Sequence, residues 1–203
     1  ISKAQLIANP GCFPTGAILG LAPLLKNTLI KTEGIIIDAK TGVSGAGRNP
    51  SPANHFGELH ENFKAYKVNV HQHTPEILDQ LNALADDNVK ITFVPHLLPL
   101  SRGILSTIYV ERKSGVTASK IQSTYEKFYK DSVFIRMKTP GTSPQLKDVA
   151  YTNFCDIAVT VDEKTNRVII ITTIDNLLKG AAGQAVQNMN IRCGFTEDCG
   201  FFE

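Results

Sequence analysis

The sequence has 203 residues and a mass of 22.1 kDa, a length that one domain with a single hydrophobic core can occupy. Hydrophobic residues make up 42% and charged residues 20%, which excludes a disordered or fibrous chain. The net charge of +2 is too small for an electrostatic nucleic-acid interface or a polybasic membrane anchor. Small molecules and further copies of the chain are therefore the expected partners, with no nucleic acid and no membrane.

The location expected from the sequence is the cytoplasm. No apolar run approaches the roughly 20 residues that a membrane span needs, and the opening Ile1-Ser2-Lys3 does not begin a signal peptide. No transit peptide is visible, although an organelle stays open for a eukaryotic source.

The four cysteines, at Cys12, Cys155, Cys193 and Cys199, include no C-x-x-C pair. Zinc-ribbon and thioredoxin-type sites therefore lose their support. A chain with this much apolar sequence does not need disulfides, so free thiols and no bound metal are expected.

The strand predictions depend on runs of β-branched residues, which lie at 35–37, 89–95, 104–110, 154–161 and 168–174. Residues 157–161 and 168–174, joined by a turn at 162–166, predict an antiparallel hairpin.

Three helices are predicted between and after these strands. The first has Thr74 as its N-cap and Pro75 at its first helical position. The second covers residues 118–129 behind a Thr117 cap, and the third covers residues 176–190. The third is rich in small residues and poor in charge, which favours an interface helix.

Together these elements predict an α+β fold, a mixed and largely antiparallel sheet with helices on one face. The glycine-rich stretch 42–47 lacks the G-x-G-x-x-G order of a Rossmann fingerprint. Its glycines favour close approach to a ligand or a positive φ, with an ordinary loop as the alternative.

The candidate nucleophile is Cys12, which follows an Asn-Pro-Gly turn and precedes the apparent start of a helix at Gly16. Unpaired N–H groups and the positive end of the helix dipole would favour the thiolate there. The alternative is a buried, inert cysteine.

The candidate acid/base groups are His71 and His73, just before the first predicted helix. Alternation in an extended segment would place both on one face, and the helix N-terminus would keep His73 neutral. A structural pair or half of a metal site is the alternative. His55, His60 and His96 are weaker candidates.

Two arginines could bind a phosphate or carboxylate: Arg48 after the glycine-rich stretch, and Arg102 at the mouth of a strand. Taken alone, an arginine in such a position is more often a surface charge. Glu58, Glu61 and Glu76 are ambiguous, and Glu76 suits the first helical turn for structural reasons alone.

Five segments, in order along the chain, together resemble the N-acetyl-γ-glutamyl-phosphate reductases of the semialdehyde dehydrogenase superfamily. They are NPGCFPT at 9–15, SGAGR at 44–48, HQHTPEI at 71–77, PHLLP at 95–99 with RGIL at 102–105, and DNLLKGAAGQA at 175–185. Phe13 and Gln72 stand where Tyr and Arg are more usual, which puts the family role of position 72 in doubt.

The resemblance implies the fold of the glyceraldehyde-3-phosphate dehydrogenase C-terminal domain and a reduction that uses NADPH. Cys12 would attack an acyl phosphate, phosphate would leave a thioester, and hydride transfer would release an aldehyde. His73 or His71 would be the acid/base. The implied substrate-binding residues are Arg48, Arg102 and Glu61, and the implied cofactor-binding residues are Ser44, Gly45, Gly47 and Asn176.

Members of that family carry an NADP-binding domain before the cysteine turn, whereas eight residues precede Asn9 here. Residues 1–203 are therefore expected to be the catalytic and dimerisation domain alone, inactive by itself and forming a homo-oligomer. The 176–190 helix would pack on the absent domain. The alternatives are a cysteine hydrolase acting through Cys12 and His73, and a self-associating scaffold without activity.

Overall fold

The computed structural model describes residues 1–47, 49 and 51–202. Within those residues the helices are α1 (Cys12–Lys26), α2 (Phe56–Leu59), α3 (His73–Ala85), α4 (Ala118–Phe128), α5 (Leu146–Val149) and α6 (Gly183–Cys193). The strands are β1 (Ile35–Gly42), β2 (Lys64–Ala65), β3 (Ile91–Leu98), β4 (Ile104–Glu111), β5 (Ile135–Met137), β6 (Cys155–Asp162) and β7 (Arg167–Ile174).

The strands form one seven-stranded sheet in the order β2-β3-β1-β4-β7-β6-β5. Four neighbouring pairs are antiparallel, and the pairs β1–β3 and β5–β6 are parallel. The predicted α+β fold is therefore confirmed. The predicted hairpin is also confirmed, since β6 and β7 pair from Cys155 with Ile174 to Asp162 with Arg167.

One face of the sheet carries the core. Alternate strand residues such as Ile37, Phe93, Ile108 and Ile170 are buried beneath α1, α3 and α4. This alternation is what the β-branched runs predict. On the opposite face, side chains such as those of Leu105 and Ile171 are half-buried.

The central helix α1 lies close against β4 and β7 because it presents glycine to them. A Cβ on Gly20 would lie 3.0 Å from Cδ1 of Ile108. Pro23 lies inside this helix and cannot donate to the carbonyl of Leu19. The hydroxyl of Tyr129, the residue directly after α4, donates to that carbonyl at 2.6 Å, so the carbonyl of Leu19 keeps a hydrogen-bond partner.

Three predicted helix details are corrected. α1 begins at Cys12 rather than Gly16. α3 begins at His73 behind Gln72, so Thr74 is not its N-cap. Residues 176–190 are not one helix, since a π-helical turn at Leu178–Ala182 precedes α6. Thr117 is confirmed as the cap of α4, accepting from the N–H of Lys120 at 3.1 Å.

Among the described residues, no helix combines the length and the apolar character that crossing a bilayer requires.

Candidate active site

Cys12 is the first residue of α1 and follows Gly11, whose backbone is extended (φ −67°, ψ 161°). Its side chain is half-buried. It lies against the π-helical turn, where a Cβ built on Gly180 would be 2.8 Å from Cβ of Cys12. Only glycine at position 180 allows this approach, so the turn packs directly against Cα and Cβ of Cys12.

The environment of the thiol works in two directions. Burial raises the pKa of Cys12, while hydrogen bonding from the backbone N–H groups of Phe13 and of Cys12 itself lowers it, and the charge of Glu76 raises it further. Burial prevails and the pKa is raised. The helix terminus therefore supplies the expected N–H groups, but the sequence-based expectation of a favoured thiolate is not met.

His71 is a packed residue, with 4% of its surface exposed. Its ring lies edge-on to Phe13, Phe93 and Tyr66, at centroid distances of 5.3, 5.4 and 5.6 Å. Nδ1 accepts a hydrogen bond from the backbone N–H of His73 at 3.1 Å, so the ring caps α3. Burial lowers the pKa of His71 to about 4, helped by the charges of His73 and Lys67.

His73 and Glu76 converge on Gly11 from the first turn of α3. A Cβ on Gly11 would lie 2.5 Å from Nε2 of His73 and 2.9 Å from Oε2 of Glu76. Oε1 of Glu76 accepts the backbone N–H of Gly11 at 2.8 Å. The glycine before the cysteine is thus required by the close approach of the two side chains.

His73 is neutral near pH 7. Burial lowers its pKa, the charge of Glu76 raises it, and that of Lys67 lowers it. Within the described chain, Nδ1 of His73 is buried without a hydrogen-bond partner. The two histidines lie 4.9 Å apart between ring centroids, but at a helix start rather than on one face of an extended segment.

On the side of Cys12 formed by the π-helical turn, the central residue is Asp175, which is fully buried and directly follows β7. Oδ1 accepts the N–H groups of Leu177 and Leu178 at 2.8 and 3.1 Å. The backbone carbonyl of Asp175 accepts the N–H of Gly180 at 3.0 Å. Asp175 therefore forms the turn that lies against Cys12.

Arg102 is fixed by the same carboxylate. Its Nη1 donates to Oδ2 of Asp175 at 3.1 Å, and that oxygen also accepts the N–H of Tyr151 at 2.8 Å. The guanidinium lies over the ring of Tyr151, 4.6 Å from the centroid, and 28% of the side chain is exposed. Arg102 is thus oriented and still open to solvent.

The predicted cofactor-binding residues lie together at a 3₁₀ turn, Val43–Ala46. Nδ2 of Asn176 donates to Oγ of Ser44 at 3.0 Å, and Oδ1 of Asn176 accepts the N–H of Gly103 at 2.7 Å. A Cβ on Gly45 would lie 3.6 Å from Nδ2 of Asn176, and Gly47 has φ +84°. Gly45 and Gly47 are exposed.

The remaining predicted residues lie elsewhere. Arg48 is outside the described residues. Glu61 is exposed after α2 at φ +57°, and no described contact links it to Cys12. His96 lies on the open sheet face, with Nδ1 3.2 Å from Oδ1 of Asp38. In the part of the chain that the structure describes, no three metal-ligating side chains cluster.

Similarity to known proteins shows the family of this chain. The family described as "Semialdehyde dehydrogenase, dimerisation domain" matches residues 12–176. The chain belongs to this family. Among the similar curated proteins are two N-acetyl-gamma-glutamyl-phosphate reductases over 98% of this chain, from Pelotomaculum thermopropionicum at 56% identity and Bacillus subtilis at 55%. The resemblance predicted from five segments is thereby confirmed.

The chain spans 58% of the length of each of these two relatives. Among solved structures, aspartate semialdehyde dehydrogenase II of Vibrio cholerae has a TM-score of 0.73 at 16% identity, with 93% of this chain and 62% of that chain covered. A probable aspartate-semialdehyde dehydrogenase of Pseudomonas aeruginosa gives 0.72 at 18% identity, with 94% and 64% covered. These likenesses establish the shared fold of this dimerisation domain.

Sequence reasoning missed three residues of the site. The role of Glu76 is ambiguous in the sequence, although its position three residues after His73 predicts a shared helix face. Burial raises the pKa of Tyr66, and the negative charge of a Cys12 thiolate raises it further. Asp175 ends a strand, and nothing local in the sequence marks its role.

Proposed function

We propose that this dimerisation domain supplies the nucleophile and the acid/base of an NADPH-dependent reductase. The reaction is the conversion of N-acetyl-γ-glutamyl phosphate to N-acetylglutamate semialdehyde and phosphate, a step of arginine biosynthesis in the cytoplasm. The observation that carries the proposal is that Gly180 lies against Cys12, while His73 and Glu76 lie against Gly11, the residue directly before Cys12. The identity to named reductases over 98% of the chain supports the substrate.

The first step is attack of Sγ of Cys12 on the γ-carbonyl carbon. Because the pKa of the thiol is raised and that of His73 is lowered, the resting pair is neutral. The proton therefore moves to His73 as the C–S bond forms, in general-base catalysis. Glu76 stabilises the imidazolium, which then gives the proton to the departing phosphate, and an acyl thioester remains on Cys12.

The oxyanion of each tetrahedral intermediate needs donors that are already in place. The backbone N–H groups of Cys12 and Phe13, at the start of α1, are such donors, and the dipole of this 15-residue helix adds to them. His71 does not move protons in this proposal. It caps α3 and holds the ring of His73 beside Gly11.

The residues of the 3₁₀ turn fit a flat ligand such as nicotinamide. Gly45 and Gly47 are exposed and carry no side chain above the backbone, while Asn176 fixes the turn from below through Ser44. We assign Ser44, Gly45, Gly47 and Asn176 to this contact. NADPH, when bound, supplies the hydride that reduces the thioester. The C–S bond then breaks, the aldehyde leaves, and the thiolate of Cys12 takes a proton that His73 has drawn from solvent and becomes a thiol again.

Arg102 is the proposed anion-binding residue. Its Nη1 donates a hydrogen bond to Asp175, and the ring of Tyr151 covers one face of the guanidinium. The remaining N–H groups can therefore bind a carboxylate or phosphate oxygen. Arg48 and Glu61 remain further substrate-binding candidates from the family resemblance alone.

The domain is proposed to pair with a second copy through the open face of its sheet. That face carries half-buried apolar side chains, among them Leu105 and Ile171, on the two central strands β4 and β7. Ile171→Glu is expected to convert the dimer to a monomer in light scattering coupled to gel filtration. Unchanged mass at micromolar concentration would contradict this interface.

The test of the proposed reaction uses two proteins: this chain, and a fusion that restores the part of the Bacillus subtilis relative that the chain does not span. We expect saturable NADPH oxidation with N-acetyl-γ-glutamyl phosphate from the fusion and none from the chain alone. The fusion would also test whether the segment around α6 packs on the restored part. Cys12→Ser should abolish the rate.

Three outcomes would overturn parts of the proposal. A saturable rate from the chain alone would refute its incompleteness. Thioester hydrolysis without nicotinamide would assign a cysteine hydrolase instead. An intact dimer whose Cys12 accepts no acyl group would assign a scaffold.

A further inference from the structure

The segment 195–202 folds back onto the end of α6. Nδ2 of Asn190, a buried residue, donates to the carbonyls of Glu197 and Cys199 at 3.1 and 3.0 Å. The ring centroid of Phe201 lies 4.9 Å from that of Phe134, and the ring centroid of Phe202 lies 5.7 Å from that of Phe154. This segment is therefore attached by both polar and aromatic contacts.

A chain of three polar side chains runs inward from this segment. Oε2 of Glu197 accepts from Nε2 of Gln187 at 2.7 Å. Oε1 of Gln187 accepts from Nζ of Lys179 at 2.7 Å. The amide thus links a carboxylate near the surface to a cation in the interior.

The burial of Lys179 is unusual for a charged side chain, because only 4% of its surface is exposed. Burial lowers its pKa to about 8, against the opposing effects of Cys155 and Glu197. Gln187 is its hydrogen-bond partner in the described chain, and the ring of Phe134 lies 5.4 Å from Nζ. Because these contacts lie in the low-dielectric interior, they are strong and fix the position of the ammonium group.

Lys179 also belongs to the π-helical turn that lies against the nucleophile. The next residue, Gly180, approaches Cβ and Cα of Cys12 so closely that an added Cβ would lie 2.8 and 3.1 Å from them. Asp175 holds the residues at the start of the turn, and Lys179, the second residue of the turn, links it to α6 through Gln187. π-helical turns of this kind occur frequently at functional sites.

We propose that Lys179 and Glu197 are positioning residues for Cys12. Through Gln187, segment 195–202 holds the turn against the thiol, so that an element distant in sequence sets the burial and orientation of the nucleophile. This inference rests on the proposed function only in calling Cys12 the nucleophile, since the contact with Cys12 exists whatever the reaction.

The test is the rate at which iodoacetamide alkylates Cys12 at pH 8, measured by peptide mass mapping with added N-acetylcysteine as the rate standard. Lys179→Met and Glu197→Ala should each raise this rate about tenfold, because loss of a charge-assisted hydrogen bond releases the turn and exposes the thiol. The double variant should exceed neither single variant. Glu197→Gln, which keeps an acceptor for Gln187, should change the rate less than about threefold.

The matched control is Asp131→Asn, a carboxylate-to-amide change at an exposed position. It should leave the alkylation rate unchanged. A parental rate at Cys12 in both Lys179→Met and Glu197→Ala, with only the unfolding temperature lowered, would overturn the proposal and leave a purely structural role. Additive effects in the double variant would also overturn it, because the two residues would then act separately.

The outcome is separable from that of the proposed reaction. Alkylation reports the geometry at Cys12 without substrate or NADPH. If the fusion reduces its substrate but substitutions at positions 179 and 197 leave the alkylation rate of Cys12 unchanged, only the positioning role is refuted. If alkylation responds but Cys12→Ser leaves the reductase rate intact, the proposed reaction fails alone.

Discussion

Two walls enclose Cys12, and they are built from different chemistry. The wall at the start of α3 consists of the titratable side chains of His71, which precedes the helix, and of His73 and Glu76, which lie against Gly11. The wall from the π-helical turn consists of backbone hydrogen bonds to Asp175 and of Gly180, which lies against Cα and Cβ of Cys12. The first wall can move protons, whereas the second can only fix position. Substitutions should therefore alter rate on one side and geometry on the other.

Among substitutions in the two walls, the largest effect is expected for His73→Asn in the fusion. Loss of the acid/base should lower kcat/KM by about 10²- to 10⁴-fold, with little change in the unfolding midpoint. Steady-state kinetics and urea unfolding measured together check this. A rate within threefold of the parent would remove His73 from the mechanism and restore His71 as the candidate.

The paired substitution His71→Asn should mainly lower stability. The unfolded histidine binds a proton near pH 6.5, whereas the folded one does so only near pH 4, so the unfolded state binds more protons between these values. Stability should therefore fall as pH falls through this window, by at most about 3 kcal/mol at this residue.

His71→Asn should lose that part of the pH dependence. Urea unfolding of parent and variant at a series of pH values from 7 to 4 would measure the difference. Parallel curves for the two proteins would contradict the buried, neutral role of His71.

On the second wall, Gly180→Ala places a methyl group against Cys12. The collision should cost about 1–3 kcal/mol of stability and lower the reductase rate with it. Gly57→Ala is the control, since a Cβ there lies 3.6 Å from Nδ1 of His55, an ordinary contact. If both variants behave like the parent in thermal unfolding, the turn does not press on the nucleophile.

The smallest effect is expected for Glu76→Gln, which keeps an acceptor for Gly11 but removes the charge. Glu76 raises the pKa of both His73 and Cys12, so both should fall in the variant. The acidic limb of the kcat/KM profile should move to lower pH. A shift to higher pH would show that the carboxylate acts in another way.

Much of the fold follows from the sequence because its signals are local. β-branched runs predict the five long strands, and Thr117 caps α4 as its side chain allows. β2 and β5 have two and three residues, which is too short for any alternation to appear. Pro14, Gly16 and Gly20 obscure the start of α1 because their helical propensity is low. The two glycines suit the packing, since a Cβ on either would lie 3.0 Å from a strand side chain.

The site is less accessible to sequence reasoning, since its contacts join distant segments. The chain places His73 and Cys12 far apart, and only the family resemblance brings them together in advance. The proposal of His73 rather than His71 as the acid/base depends on the burial of His71 and on the hydrogen bond from the N–H of His73 to Nδ1 of His71, neither of which the sequence shows. The raised pKa of Cys12 could not be predicted, because burial opposes the helix terminus and only the packed structure shows which effect is larger.

The most direct test of the central claim is to mix the fusion with N-acetyl-γ-glutamyl phosphate in the absence of NADPH, stop the reaction with acid and map the acylated peptide. The account predicts one acyl group per chain on Cys12, with an equal amount of phosphate released, and no acylation in Cys12→Ser. An acyl group on another residue, or phosphate release that continues without Cys12, would contradict it.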